Sequence, residues 1–106
     1  MPEFPDKPQL KDLQEYIREM VKERGWDKNS FQDIFLLFSE EVGELAKAMR
    51  DASGMYKDKK KLKKIELEEE FADVLMYLID LANYFDVDLE KAFREKEEVN
   101  AKREWK

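Results

Sequence analysis

Apolar residues recur every three or four positions along most of the chain, and this spacing is typical of amphipathic helices. The pattern predicts four helices, at about 9–24, 30–51, from residue 62 or 65 to 85, and 89–103. The second helix has a broad apolar stripe, which consists of Phe31, Ile34, Phe35, Leu37, Phe38, Val42, Leu45, Ala46 and Met49. The chain is therefore predicted to be all-α.

Residues that start or stop helices stand at the predicted boundaries. Gly25 follows the first helix and accepts the positive φ angle that commonly ends one. Asn29 or Ser30 can cap the second helix, because their side-chain oxygens accept hydrogen bonds from unpaired N–H groups. Ser53 and the glycine after it end that helix. Asp88 is the predicted cap of the fourth.

The length of the chain indicates a single domain. Its 106 residues suffice for one hydrophobic core, and only 3 Gly and 3 Pro favour long helices over a loop-rich β fold. All three prolines fall within residues 1–8, which predicts an extended leader ahead of one domain at 9–106. The expected architecture is a four-helix bundle. Its fourth helix has few apolar residues, and Leu36 and Met76 point away from the main stripes, so we expect a homodimer or homotetramer.

Composition excludes several kinds of chemistry. The chain has no Cys and no His, so thiol catalysis and thiolate zinc sites are excluded, and any metal must be held by oxygen. A net charge of −6 argues against a nucleic-acid polymer as partner. With no apolar run long enough for a membrane span and no secretory signal pattern, a cytoplasmic protein is expected. A lysine-rich run at 57–64 is either a solvated segment or a rim that attracts phosphate.

Two acidic residues of the second predicted helix lie beside its apolar stripe. With Phe38 at the centre of the stripe, Glu41 falls about 60° to one side and Glu44 about 120° to the same side, at about 100° per residue. Glu40 and Lys47 fall on the far face. Glu41 and Glu44 therefore stand at the border of the core.

The third predicted helix repeats this arrangement. With Leu78 at the centre, Glu70 lies about 80° and Asp73 about 140° away on the same side, whereas Glu69 lies opposite. Each helix thus carries a carboxylate pair at i,i+3, and the Cβ atoms of such a pair are roughly 5–6 Å apart.

Four carboxylates partly withdrawn from water are costly unless a cation or protonation relieves their repulsion. One such pair alone is more often a surface feature, but two pairs on consecutive helices favour a metal site. Hard divalent cations prefer carboxylate oxygens, and Mg²⁺ commonly binds substrate phosphates as well.

The two acidic segments resemble the MazG-like all-α nucleoside triphosphate pyrophosphohydrolases. These segments are Glu40-Glu41-Val42-Gly43-Glu44-Leu45-Ala46 and the stretch from Glu69-Glu70-Phe71-Ala72-Asp73 to Leu78, and they resemble the family's Glu-x-x-Glu and Glu-x-x-Asp motifs. Arg24-Gly25-Trp26 also resembles an Arg-x-Trp that often precedes the second helix in the family.

The resemblance implies magnesium-dependent hydrolysis of a nucleoside triphosphate between its α and β phosphates, which yields monophosphate and pyrophosphate. Clearing non-canonical or excess nucleotides is the role that would follow. Glu41, Glu44, Glu70 and Asp73 match the family's magnesium ligands and catalytic carboxylates, and Mn²⁺ is an expected substitute. Lys96, Asn100 and Trp26 are the expected substrate-binding residues, although Trp26 also fits a role as a core or rim aromatic.

The sequence leaves one alternative function open and disfavours another. A non-catalytic helical module of the same fold, which binds a partner or nucleotide, remains the alternative. A carboxylate-bridged di-iron bundle is disfavoured, because its Glu-x-x-His motif needs histidine.

Overall fold

A computed structural model describes residues 2–53 and 63–103, with side chains from residue 66 onward in the second range. No strand occurs within these ranges, so the all-α class is confirmed. The lysine-rich run at 57–64 and Gly54 lie outside the described side chains. The helical elements are α1 (Leu10–Glu23), a short 3-10 helix (Trp26–Lys28), α2 (Phe31–Ala52), α3 (Lys63–Tyr84) and α4 (Leu89–Ala101).

The helix boundaries lie within two residues of those predicted, and local chemistry explains them. Ser30 is the cap of α2: its hydroxyl accepts a hydrogen bond from the Asp33 N–H at 3.2 Å, and the Asp33 carboxylate accepts one from the Ser30 N–H at 3.3 Å. Gly25 adopts a φ of 73° after α1, in the left-handed region. Asp88 caps α4 by accepting a hydrogen bond from the Lys91 N–H at 3.1 Å.

The helices pack unevenly. α2 and α3 run along each other, α1 packs against α3, and α4 packs chiefly against α1. The buried cluster lies between α1 and α3 and is formed by Ile17, Met20, Val21 and Ile79. Most side chains of α4 are exposed, as its sparse apolar pattern predicts, and Phe93 is 74% exposed.

A buried polar link joins α1 to the turn between α3 and α4. The Gln14 side chain donates to the Asn83 Oδ1 and to the Val87 carbonyl, both at 2.9 Å. Its own Oε1 accepts a hydrogen bond from the Leu89 N–H at 3.0 Å, and the Asn83 Nδ2 donates to the Gln14 carbonyl at 2.9 Å. These bonds hold the C-terminal end of α3 and the start of α4 against α1.

Within the described residues, no helix combines the length and the apolarity needed to cross a membrane.

Candidate active site

Three carboxylates from α2 and α3 meet between these helices. Glu41, Glu70 and Asp73, here called the acidic trio, each offer an oxygen within 4.8 Å of the others, and all three side chains are half-buried. Glu40 and Glu69 are exposed, as the helical phase predicts, but Leu78, taken as the centre of the third apolar stripe, is 43% exposed, and the neighbouring Ile79 is the buried residue. The i,i+3 spacing on α3 turns Glu70 and Asp73 to the same side, and the packing of α2 on α3 brings Glu41 to them.

Electrostatic repulsion and burial both act on the acidic trio. Burial is the largest cause that raises the pKa of Glu41, and the negative charges of Asp73 and Glu70 raise it further. The Oε1 atom of Glu70 is buried and accepts no hydrogen bond from any residue that the structure describes. A carboxylate oxygen without a donor is costly to bury, and no ion pair to the trio is formed by the residues that the structure describes.

The chemistry of these donors fits a hard divalent cation. Three carboxylates supply only oxygen, the donor type that Mg²⁺ and Mn²⁺ prefer. A bound cation would neutralise the repulsion around Glu41 and give the buried Glu70 oxygen a partner.

Glu44, the fourth predicted ligand, lies outside the acidic trio. Its side chain is exposed and lines an adjoining polar depression of about 310 Å³ that Glu70 and Glu66 also line. Lys47 lines the same depression, which corrects the expectation that it faces away from the carboxylates. The reason is that Lys47 lies only about 60° from Glu44 around α2 at 100° per residue, and its side chain is long.

A cavity of about 140 Å³ adjoins the other side of the trio. It is lined by Asp73 and by apolar residues of α1, together with Trp26, Tyr77 and Asp80. Trp26 is 42% exposed, and the Arg24 guanidinium lies 5.2 Å from the centre of its ring. The structure therefore brings Trp26 to the same cavity as Asp73, where a ring could stack on it.

Tyr77 and Asp80 were not among the predicted site residues. Burial, followed by the charges of Glu41 and Asp73, raises the pKa of the Tyr77 hydroxyl and keeps it protonated. Burial also raises the pKa of Asp80. Their positions four and seven residues after Asp73 put them on its side of α3, so helical spacing could have identified both.

Lys96 and Asn100 lie away from the acidic trio. Both are on α4, which packs chiefly against α1, and neither lines the two cavities beside the trio. Their contact with substrate stays a prediction.

An all-α fold with clustered carboxylates between two helices defines a class of helical proteins suited to bind a divalent cation. Residues 29–104 match the MazG nucleotide pyrophosphohydrolase domain family. The chain belongs to this family, which confirms the resemblance seen in the sequence.

The chain is also similar to individual proteins of known sequence. The chain is 33% identical to dCTP pyrophosphatase 1 of Rattus norvegicus and 32% identical to that of Homo sapiens, each over 104 residues that cover 94% of this chain. It spans 61% of the length of each of these relatives. It is also 32% identical over 102 residues to the uncharacterized protein YvdC of Bacillus subtilis, with 90% of this chain and 95% of that protein covered.

Proposed function

We propose that this chain is a magnesium-dependent nucleoside triphosphate pyrophosphohydrolase that cleaves between the α and β phosphates. The observation that carries the proposal is the acidic trio between α2 and α3, in which the buried Glu70 oxygen has no donor. Family membership supports it, because the matched domain is described as a nucleotide pyrophosphohydrolase.

The carboxylates have two tasks in this proposal. Glu41, Glu70 and Asp73 hold the cation, and Glu44 binds at the edge of the same site from the adjoining depression. When bound, Mg²⁺ or Mn²⁺ supplies positive charge that neutralises phosphate oxygens and lowers the pKa of the attacking water. One of the four carboxylates takes the proton from that water, because these groups would lie beside the cation that binds it.

The proposed substrates are deoxynucleoside or ribonucleoside triphosphates, and dCTP is the first candidate because two relatives are named dCTP pyrophosphatase 1. The proposed role is the removal of excess or non-canonical nucleotides. In this reading Trp26 stacks on the base, and Lys96 and Asn100 contact the phosphates or the nucleotide.

We also propose that the chain acts as a homodimer or homotetramer. Large apolar side chains of α2 and α3 remain exposed, with Leu36 at 68% and Phe71 at 54%. Exposed large apolar side chains are typical of interfaces, and a second copy is the partner that symmetric oligomers supply. A second copy could also bring Lys96 and Asn100 of its own α4 to the acidic trio.

The direct test is to incubate the protein with Mg²⁺ and a panel of nucleoside triphosphates and to separate the products by ion-exchange chromatography. Monophosphate together with pyrophosphate is the expected result. Diphosphate with orthophosphate would show that a different bond is cut, and no turnover of any nucleotide would favour the non-catalytic module.

A matched pair of variants links the activity to the trio. Glu70→Gln should lower turnover at least a hundredfold, because it removes a proposed ligand whose buried oxygen lacks a donor. Glu69→Gln changes the exposed neighbour on the same helix and should leave turnover unchanged. The reverse outcome would contradict the assignment of Glu70.

A further inference from the structure

The cavity beside the acidic trio is lined by a carboxyl group for which the described residues provide no hydrogen-bond or ion-pair partner. Asp80 lines this cavity, is half-buried, and makes no hydrogen bond or ion pair with any residue that the structure describes. Burial alone raises the pKa of Asp80, which agrees with the lack of a nearby donor. A partly buried acceptor without a protein donor is open to a donor from a ligand.

The volume of the cavity suits a small ring. It is about 140 Å³, and a cavity of about 150 Å³ is large enough for a benzene ring. A single six-membered ring therefore fits within this volume, whereas the fused rings of a purine would extend beyond it. Trp26 and Met20 supply flat or apolar surface for such a ring.

The position of Asp80 relative to the trio suits one end of a nucleotide. Asp73 and Asp80 are seven residues apart on α3, so they share a face and are separated by about 10 Å along the helix axis at about 1.5 Å per residue. Phosphates held near Asp73 would leave this length for the sugar and the base.

We infer that Asp80 selects the base, by accepting a hydrogen bond from the exocyclic amino group of a pyrimidine that occupies this cavity. The inference rests on the proposed function and adds a specificity determinant to it. Carboxylates are the side chains that pair with the N4 amino group of cytosine. Uracil presents a carbonyl oxygen at that position, which Asp80 would repel, and a purine would extend beyond the cavity.

The test compares kcat/KM for dCTP, dUTP and dATP with Mg²⁺ present. The wild-type protein should prefer dCTP over dUTP by at least about tenfold, the discrimination expected of a good polar contact to a base edge. Asp80→Asn offers a donor as well as an acceptor. The ratio of kcat/KM for dCTP to kcat/KM for dUTP should therefore fall at least tenfold, mainly through changes in KM. Asp80→Ala offers neither group, so kcat/KM for dCTP should fall with the lost hydrogen bond and kcat/KM for dUTP should rise as the repulsion is removed.

Asp27→Asn is the matched control. Asp27 lines a second cavity together with Asp80 but does not line the cavity beside the trio. Its substitution should leave the dCTP to dUTP ratio unchanged. A changed ratio in Asp27→Asn, with none in Asp80→Asn, would place the base in the second cavity and overturn the inference.

Failure of the inference is distinguishable from failure of the proposed function. Turnover of dCTP and dUTP at similar rates by the wild-type protein, or an unchanged preference in Asp80→Asn, would overturn the role of Asp80 and leave the pyrophosphohydrolase intact. If no nucleotide is turned over, calorimetric binding of dCMP and dUMP without metal decides the matter. Preferential dCMP binding that is lost in Asp80→Asn supports the inference, and equal or absent binding overturns it.

Discussion

At the scale of single residues, carboxylates of the same chemical type differ in their surroundings, and composition alone does not show this difference. Among the 26 acidic residues, burial raises the pKa of Glu41 and of Asp80, but the surroundings of the two groups differ. Glu41 faces two further carboxylates of the acidic trio, whereas burial is the only cause that raises the pKa of Asp80. The first arrangement suits a cation, and the second suits a neutral donor.

Replacing Glu41 by Gln should stabilise the metal-free protein and remove its response to metal. The substitution removes a charge that burial and its neighbours disfavour, so Tm in EDTA should rise. Calorimetry with and without millimolar Mg²⁺ should show a Tm increase on metal addition in the wild-type protein and little in the variant. An equal increase in both would contradict the assignment of Glu41 as a ligand.

The buried Asp80 predicts a pH dependence of stability. The folded-state pKa of Asp80 is raised above the usual value of 3.8. Its favourable contribution to the free energy of unfolding is therefore complete below pH 3.8 and is lost as the pH rises through the folded-state pKa. Compared with Asp80→Asn, the wild-type protein should therefore be relatively more stable at pH 4 than at pH 7. Other charged groups that line its two cavities are Arg18, Lys22, Arg24, Asp27 and Asp73.

Thermal unfolding of both proteins across this pH range measures the effect. A difference in Tm that stays constant from pH 4 to pH 7 would show that Asp80 does not titrate differently on folding.

At the scale of helices, short-range spacing accounts for each element, and one polar link joins three of them. The apolar stripes and the caps Ser30 and Asp88 were predicted from neighbouring residues, because helix periodicity and capping depend on positions three or four apart. The link between Gln14 and Asn83 was not predicted. Its partners are 69 residues apart, and nothing local indicates that they meet.

Replacing Asn83 by Ala should destabilise the protein by about 1–3 kcal/mol, the usual cost of leaving buried partners without a hydrogen bond. The variant removes both the acceptor for the Gln14 amide and the donor to the Gln14 carbonyl. Urea unfolding measures the change. Lys91→Ala on exposed α4 is the control, and a loss as large as that of Asn83→Ala would argue against a special role for the link.

At the scale of the whole molecule, one chain leaves much apolar surface uncovered. α4 packs chiefly against α1, and apolar side chains of α2 and α3 face outward. A chain of 106 residues can bury only a small hydrophobic core. Association with a second copy would bury apolar surface that the single chain leaves exposed.

Replacing Leu36 by Glu should shift the protein towards monomers. Leu36 is 68% exposed, so its substitution costs the isolated chain little, but a charge there would be buried in an interface. Light scattering should then approach 12.8 kDa, the mass of one chain, whereas the wild-type protein should give two or four times that mass. Lys11→Glu, at an exposed position of α1, controls for added negative charge. A wild-type mass equal to that of one chain would refute the oligomer.

The sequence by itself determined the all-α class, the helix boundaries and the side of each helix on which Glu41, Glu70 and Asp73 stand. These are properties of residues a few positions apart, which helical geometry relates directly. The family could also be recognised from its two acidic motifs.

Only the tertiary structure decided which of these groups meet. The packing of α2 on α3 joins Glu41 to the α3 pair and leaves Glu44 in the adjoining depression. The packing of α1 on α3 forms the cavity that Trp26 and Asp80 share. Distances across helices depend on how side chains of distant segments fill the space between them, and no repeat along a single helix contains that information.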